Sequence, residues 1–158
     1  MEKKKMIKTG IVVAIAGTII AGAVGLYLFN MPHRNVQKAT ADFSLSSSEI
    51  VTEYLTDRES ANVKYLAEDG DSKVLEITGV VSKVSEDFNG QKVVLLKNAD
   101  DKAGVSASFT TETSANAAKL QVGETVTIKG VIRSGAAYDE DLELYENVIL
   151  EKSDVTTK

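Results

Sequence analysis

Hydrophobic positions follow three different patterns along the chain, and each predicts a different kind of element. From Thr9 to Phe29 (TGIVVAIAGTIIAGAVGLYLF) there are 21 consecutive residues without a charged side chain. A helix of that length, at about 1.5 Å per residue, matches a hydrocarbon core of roughly 30 Å. From Ser46 to Ala67 the apolar positions recur at helical spacing: Ile50, Tyr54, Ala61 and Tyr65 share a face with Arg58, flanked by Val51, Leu55 and Leu66. Glu53, Asp57, Glu59 and Lys64 take the opposite face. Ser46 and Glu49 stand at capping-box spacing, which predicts the start of this helix, and Gly70 in Asp69-Gly70-Asp71 follows its end.

After Ser72 the period changes to two, which predicts strands. Leu75, Ile77 and Gly79 alternate with Glu76 and Thr78, and VVSKV extends this into a long first strand. Asn89-Gly90 is a hairpin turn signal, and residues 91–97 (QKVVLLK) return as the second strand. Val105, Ala107 and Phe109 mark the third. A short alanine-rich helix is expected over Thr113–Leu120, and Val126 and Ile128 mark the fourth strand. Ser134–Asp141 reads as a loop. Leu142, Leu144, Val148 and Leu150 form the fifth strand, and residues 151–158 are expected to be a disordered tail. Glycines at 79 and 130, inside strands, predict a bulge or sharp coiling.

That order of elements describes a mainly β fold: a five-stranded Greek-key barrel of the OB-fold type, preceded by an α-helix and an N-terminal transmembrane helix. An open α+β sheet would fit the same pattern. Domain boundaries follow: a basic segment 1–8, the membrane helix 9–29, a polar linker 30–45, the helix and barrel 46–150, and the tail 151–158. The linker, if extended, would span at most roughly 50 Å.

Charge adds direction. Lys3, Lys4, Lys5 and Lys8 precede the apolar run and only His33 and Arg34 follow it closely, which places the N-terminus inside and the remaining chain outside. A cleaved signal peptide is the rival, with Ala21-Gly22-Ala23 as its site. Cleavage there would leave the apolar start VGLYLF with nothing to bury it, which favours an uncleaved anchor. Gly17, Ala21 and Gly25 recur every four residues and give the helix a small-residue face suited to packing against a second copy.

Composition removes several chemistries. The chain has no cysteine, which excludes disulfides, thiolate metal sites and thiol nucleophiles, and a single histidine, His33, which leaves multi-histidine metal sites and Ser–His–Asp catalysis without parts. No catalytic residues, metal or cofactor are therefore assigned, and an enzyme is not expected. Acidic clusters at Asp69–Asp71, Asp100-Asp101 and Asp139–Asp141 could hold calcium, but turn chemistry explains them equally well.

The residues also resemble a known family. Glu59 to Leu66 (ESANVKYL), followed by Val74 to Val81 (VLEITGVV), is similar to the tRNA_anti-like group of bacterial OB-fold proteins, in which a helix ending near A-x-x-K-Y leads into a V-x-G-x-V strand. Val122 to Gly130 (VGETVTIKG) and the closing stretch Leu142…Val148-Ile149-Leu150 look like that group's fourth and fifth strands. Many members end strand five with a cysteine, which this chain lacks. The resemblance covers roughly residues 45 to 150 and implies an exported or membrane-anchored protein at the bacterial cytoplasmic membrane, its domain in the periplasm or extracytoplasmic space. It specifies fold rather than activity.

OB-fold ligands usually cross strands two and three, between the loops that join strands one to two and four to five. Those loops present Phe88 and Tyr138 as stacking candidates, and Lys83, Lys92, Lys97 and Arg133 lie near them in sequence. Residues 30–158 hold 14 basic and 22 acidic side chains, a net of −8, which disfavours a phosphate backbone as ligand. The expected partner is another envelope protein or component, docked by a non-catalytic binding module. The alternative is an oligonucleotide or oligosaccharide ligand.

Overall fold

The computed structural model describes residues 2–29 and 34–156, with side chains described from residue 13. The uncharged run lies in helix α1 (Glu2–Phe29). The described side chains of α1, at 13–29, are exposed and cover about 25 Å of helix axis. Among the described residues no helix is long and apolar enough to cross a membrane. The side chains of the basic segment 1–8 and of the first turn of the span expected over 9–29 lie outside the described residues, as do residues 30–33 of the linker. The chain divides into two compact units, Met1–Arg34 and Asn35–Lys158.

In the second unit, most of the expected linker proves to be part of the domain. Val36 is buried, and the Gln37 amide donates to the Lys129 carbonyl at 3.2 Å and the Lys152 carbonyl at 2.8 Å. The Lys129 ammonium donates in return to the carbonyls of Gln37 and Ala39. Strand β1 (Phe43–Ser46) then pairs in parallel with β2 (Val74–Glu86), Phe43 opposite Leu75 and Ser46 opposite Thr78. A strand of four residues leaves too short a period to stand out from its polar surroundings, and the segment before it is secured by side-chain bonds to distant carbonyls.

Helix α2 (Ser47–Thr56) starts where the capping box predicts. The Glu49 N–H donates to the Ser46 hydroxyl at 3.2 Å, and the Ser46 N–H donates to the Glu49 carboxylate at 2.7 Å. The single helix expected to follow is two. Asp57 breaks it at φ −151°, ψ 88°, while its own N–H closes α2 on the Glu53 carbonyl. Its carboxylate opens α3 (Arg58–Tyr65) by accepting from the Ser60 N–H and hydroxyl at 3.1 and 2.7 Å. Helical periodicity survives the break, so Ile50, Val51, Tyr54, Ala61 and Tyr65 all reach the core.

The remaining strands are β3 (Lys92–Leu96), β4 (Val105–Phe109), β5 (Thr125–Ser134), β6 (Ala137–Asp139), β7 (Leu144–Glu146) and β8 (Val148–Val155), with the short helix α4 (Ser114–Ala117) between β4 and β5. The main sheet runs β1-β2-β3-β4-β8-β5, and β2 also pairs with β5, which closes the ring and disposes of the open-sheet alternative. β4 and β8 are parallel and the other ring pairs antiparallel, the order of an OB-fold. Leu75, Ile77, Val94, Leu96, Ala107, Ile128, Ile132 and Leu150 fill the interior.

Three expectations are corrected at the C-terminal end. The loop expected over 134–141 and the first half of the expected fifth strand form a separate hairpin, β6–β7, paired Tyr138 to Tyr145. The closing strand, β8, starts only at Val148 and runs on through most of the tail expected to be disordered: Ser153 is buried, and Asp154 and Val155 pair with Lys129 and Ile128. Gly130 does mark a register shift, between Lys129 and Val131. Gly79 does not, because the β2–β3 shift falls between Val81 and Lys83. Gly79 instead admits the start of α2, since a Cβ there would lie 2.6 Å from the Ser47 hydroxyl.

Candidate binding surfaces

Residues directly opposite one another in neighbouring strands share a face of the sheet. Val94 and Ala107 oppose each other and are buried, so their strand neighbours point outward. Register then assembles the outer face of the barrel: Lys83 and Ser85 of β2 beside Leu95 and Val93 of β3, and these beside Ser106 and Ser108 of β4. Apolar and hydroxyl side chains dominate this face. Of the candidate cations, Lys83 lies within it and Lys97 borders it, beside Leu95 and Gly104.

The other candidates are dispersed. Lys92 donates to the Glu86 carboxylate at 2.9 Å, closing an ion pair across the base of the first hairpin. Lys97 follows the other end of β3, its N–H bonded to the Val80 carbonyl at 3.0 Å. Arg133 is on β5, 3.9 Å from Glu151. Phe88 stands fully exposed at the tip of the turn whose frame is Asp87: that carboxylate accepts from the Asn89 and Gln91 N–H groups at 2.8 and 2.9 Å, and Gly90 takes φ +76°. Tyr138 lies at the opposite end of β4 from Phe88, because the hairpin that carries it is held to the start of β4 by Asn147, which accepts from the Gly104 N–H at 2.8 Å. The six residues form no continuous strip. In α1, a Cβ on Gly17 or Gly25 would meet nothing within 4 Å.

Tyr138 belongs to a second assembly. Its ring lies 4.8 Å from that of Tyr145, tilted by 51°. The pair forms one wall of a groove of about 380 Å³, shared with Tyr54 and Leu55 of α2, Arg58 of α3, Lys102 and Ala137. The Lys102 ammonium sits 5.6 Å from the centre of the Tyr145 ring, within cation–π range. Tyr54 is almost wholly buried, its ring lying against the backbone of Gly135 and 6.0 Å from the ring of Tyr65. Among the described residues its hydroxyl has no hydrogen-bond partner. Burial pushes the Tyr54 phenol up to about 12, Tyr65 adds to the shift, and Arg58 opposes it. Tyr65, by contrast, donates to the Glu53 carboxylate at 2.8 Å, which Lys64 also holds at 3.0 Å. Sequence spacing gives no hint of this groove. Residues 54–58, 102 and 137–145 meet only because the hairpin folds back towards α2.

The acidic clusters spend carboxylate oxygens on their own turns. Asp69 accepts from the Asp71 N–H at 3.0 Å, and Asp139 from the Asp141 and Leu142 N–H groups at 2.9 and 3.0 Å. Asp101 accepts from the Ser48 hydroxyl at 2.7 Å. Among the described residues no group of three or more His, Cys, Asp or Glu side chains could hold a metal ion.

The profile of the tRNA_anti-like family matches residues 1–141. The chain belongs to the tRNA_anti-like family. Among solved structures, this tRNA_anti-like protein is similar to a Klebsiella pneumoniae protein described as a "putative nucleic acid-binding lipoprotein", with 17% sequence identity and a TM-score of 0.52 over 72% of this chain and 91% of that one. At that identity the likeness concerns the fold. No curated protein matches the chain.

Proposed function

We propose that this tRNA_anti-like protein is a membrane-anchored, extracytoplasmic OB-fold module that binds another envelope component and carries out no chemistry of its own. The observation that carries this reading is the outer face around Leu95, Val93, Ser106 and Ser108: apolar at its centre, edged by hydroxyls, with Lys83 and Lys97 at its border. Such a surface suits complementarity with a protein, which depends on desolvated apolar contact. A polyanion would need several cations and stacking rings there. Anchoring is supported by the 21 uncharged residues from Thr9 to Phe29 with four lysines ahead of them, and by the lipoprotein description of the Klebsiella neighbour. The small face at Gly17, Ala21 and Gly25 would then be a packing surface for a second anchor helix.

A second reading, an oligonucleotide ligand, is favoured by the neighbour's nucleic acid-binding description and opposed by the net charge of −8 over residues 30–158. Two experiments test the first reading. A reporter fused after Lys158 should be active only outside the cytoplasm; activity inside would refute the topology. A photo-crosslinking residue at Leu95 should trap a discrete protein adduct in whole cells, while the same residue at Val63, on α3, should not. Adducts only to nucleic acid would replace this reading with the second.

A further inference from the structure

Several cations of this acidic domain are ion-paired. Lys64, Lys73, Lys92 and Arg133 each lie within 4.0 Å of a carboxylate. Arg58 and Lys102 are different: among the described residues neither has an ion-pair partner, and both line the groove between the α2–α3 helices and the β6–β7 hairpin. No carboxylate lines that groove, although Asp57, Asp101 and Glu146 are chain neighbours of its residues. Two unpaired cations from separate elements therefore face one cavity with the rings of Tyr138 and Tyr145 as a wall. Tyr54, in the same cavity, has a buried hydroxyl without a hydrogen-bond partner among the described residues, as do Ser47, Ser153 and Thr156 elsewhere.

We propose that this groove is a binding site for a phosphate monoester attached to a flat ring, the chemistry of a nucleoside 5′-monophosphate unit. Arg58 supplies the planar fork that matches phosphate oxygens, and Lys102, held over Tyr145, supplies a second positive charge. The half-exposed ring of Tyr138 offers a stacking surface for the ligand's ring. The volume, about 380 Å³, lies within the small-molecule range of roughly 300–1,000 Å³ and suits one ring with its phosphate. The groove shares no residue with the β3–β4 face, so this site is separate from the proposed docking surface. The unit has two sources, a free mononucleotide or the phosphorylated end of a strand.

Calorimetric titration of the full chain in detergent micelles with adenosine 5′-monophosphate tests the proposal. Saturable one-to-one binding is expected, with adenosine and inorganic phosphate each at least tenfold weaker. R58Q and K102Q should each lower affinity about tenfold without changing the unfolding temperature, since both side chains are exposed. Tyr138→Ala should weaken the nucleotide and leave inorganic phosphate unaffected. A 5′-phosphorylated oligothymidylate that binds with the same sensitivity to R58Q and K102Q assigns the unit to a strand end, and failure of the oligonucleotide alone assigns it to the free nucleotide. No binding of the monophosphate at millimolar concentration, or binding unchanged in both R58Q and K102Q, would overturn the proposal.

Discussion

Gly135, between β5 and β6, lies against the Tyr54 ring of α2, and a methyl group added there should be costly for a reason that can be isolated. Gly135 is not in the left-handed backbone region, so alanine could take its conformation without strain. By itself, loss of glycine's freedom in the unfolded chain would then stabilise the protein by about 0.4–1 kcal/mol. The obstacle is the ring of Tyr54: an alanine Cβ would fall 1.9 to 2.3 Å from three of its carbons. Tyr54 is 1% exposed, with Tyr65 packed beside it, so the ring has nowhere to go. Overpacking of a tight core costs about 1–3 kcal/mol and sometimes more, and an overlap this deep belongs at the upper end. Gly135→Ala should therefore destabilise by a net of about 2 kcal/mol, lowering the urea midpoint by about 1 M for an m-value near 2 kcal/mol/M. Far-UV circular dichroism of the full chain in detergent, titrated with urea, measures it. The same substitution in a Tyr54→Ala background should be neutral or slightly stabilising, because the ring is gone. An equal loss in both backgrounds, or none in either, would show that the Tyr54 contact is not what reserves this position for glycine.

Ser46→Ala removes one half of the capping box and should cost about 1 kcal/mol in the same urea assay. The Glu49 carboxyl is lowered by the Ser46 N–H and then by its hydroxyl, and the Asp57 carboxyl by the Ser60 hydroxyl and N–H. Their stabilisation is complete above the unfolded values of 4.5 and 3.8 and is lost as pH falls through the lower folded values. Unfolding midpoints should therefore fall between about pH 5 and pH 3, and a flat profile would contradict this assignment. Removing residues 151–158 should abolish cooperative unfolding, because Val155 and Asp154 hold β8 to β5; an unchanged transition would make that pairing dispensable. Lys92→Ala, which breaks a half-exposed pair with Glu86, should cost less than about 1 kcal/mol by the same titration.

What could be read from the sequence depended on the range of the forces involved. Alternation placed β2, β3, β4 and the start of β5 because each strand has one buried face, and Ser46–Glu49 located the start of α2 because a cap acts within one turn. Asn89-Gly90 gave the hairpin through the same local chemistry. Elements secured by distant partners were hidden. Gln37 looks like a linker residue until its amide reaches the carbonyls of Lys129 and Lys152. Glu151 to Val155 look like a tail because three of the five are charged and only Ser153 is fully buried. The candidate surfaces divided in the same way. Local signals place Phe88 in its turn, whereas Tyr138 lies in strand β6 rather than in a loop, and its association with Arg58 and Lys102 is a product of the tertiary fold.

The parallel pairing of β4 with β8 sets the order of assembly for a chain made from its N-terminus. β8 is the last strand of the ring, yet it sits between β4 and β5. Until residues 148–155 have emerged, β2–β3–β4 with β5 attached to β2 is an open, curled sheet whose two free borders carry unpaired backbone groups. Such borders are templates for pairing with other chains. The sheet thus stays open to off-pathway association until β8 is available, and one late insertion then completes both seams at once.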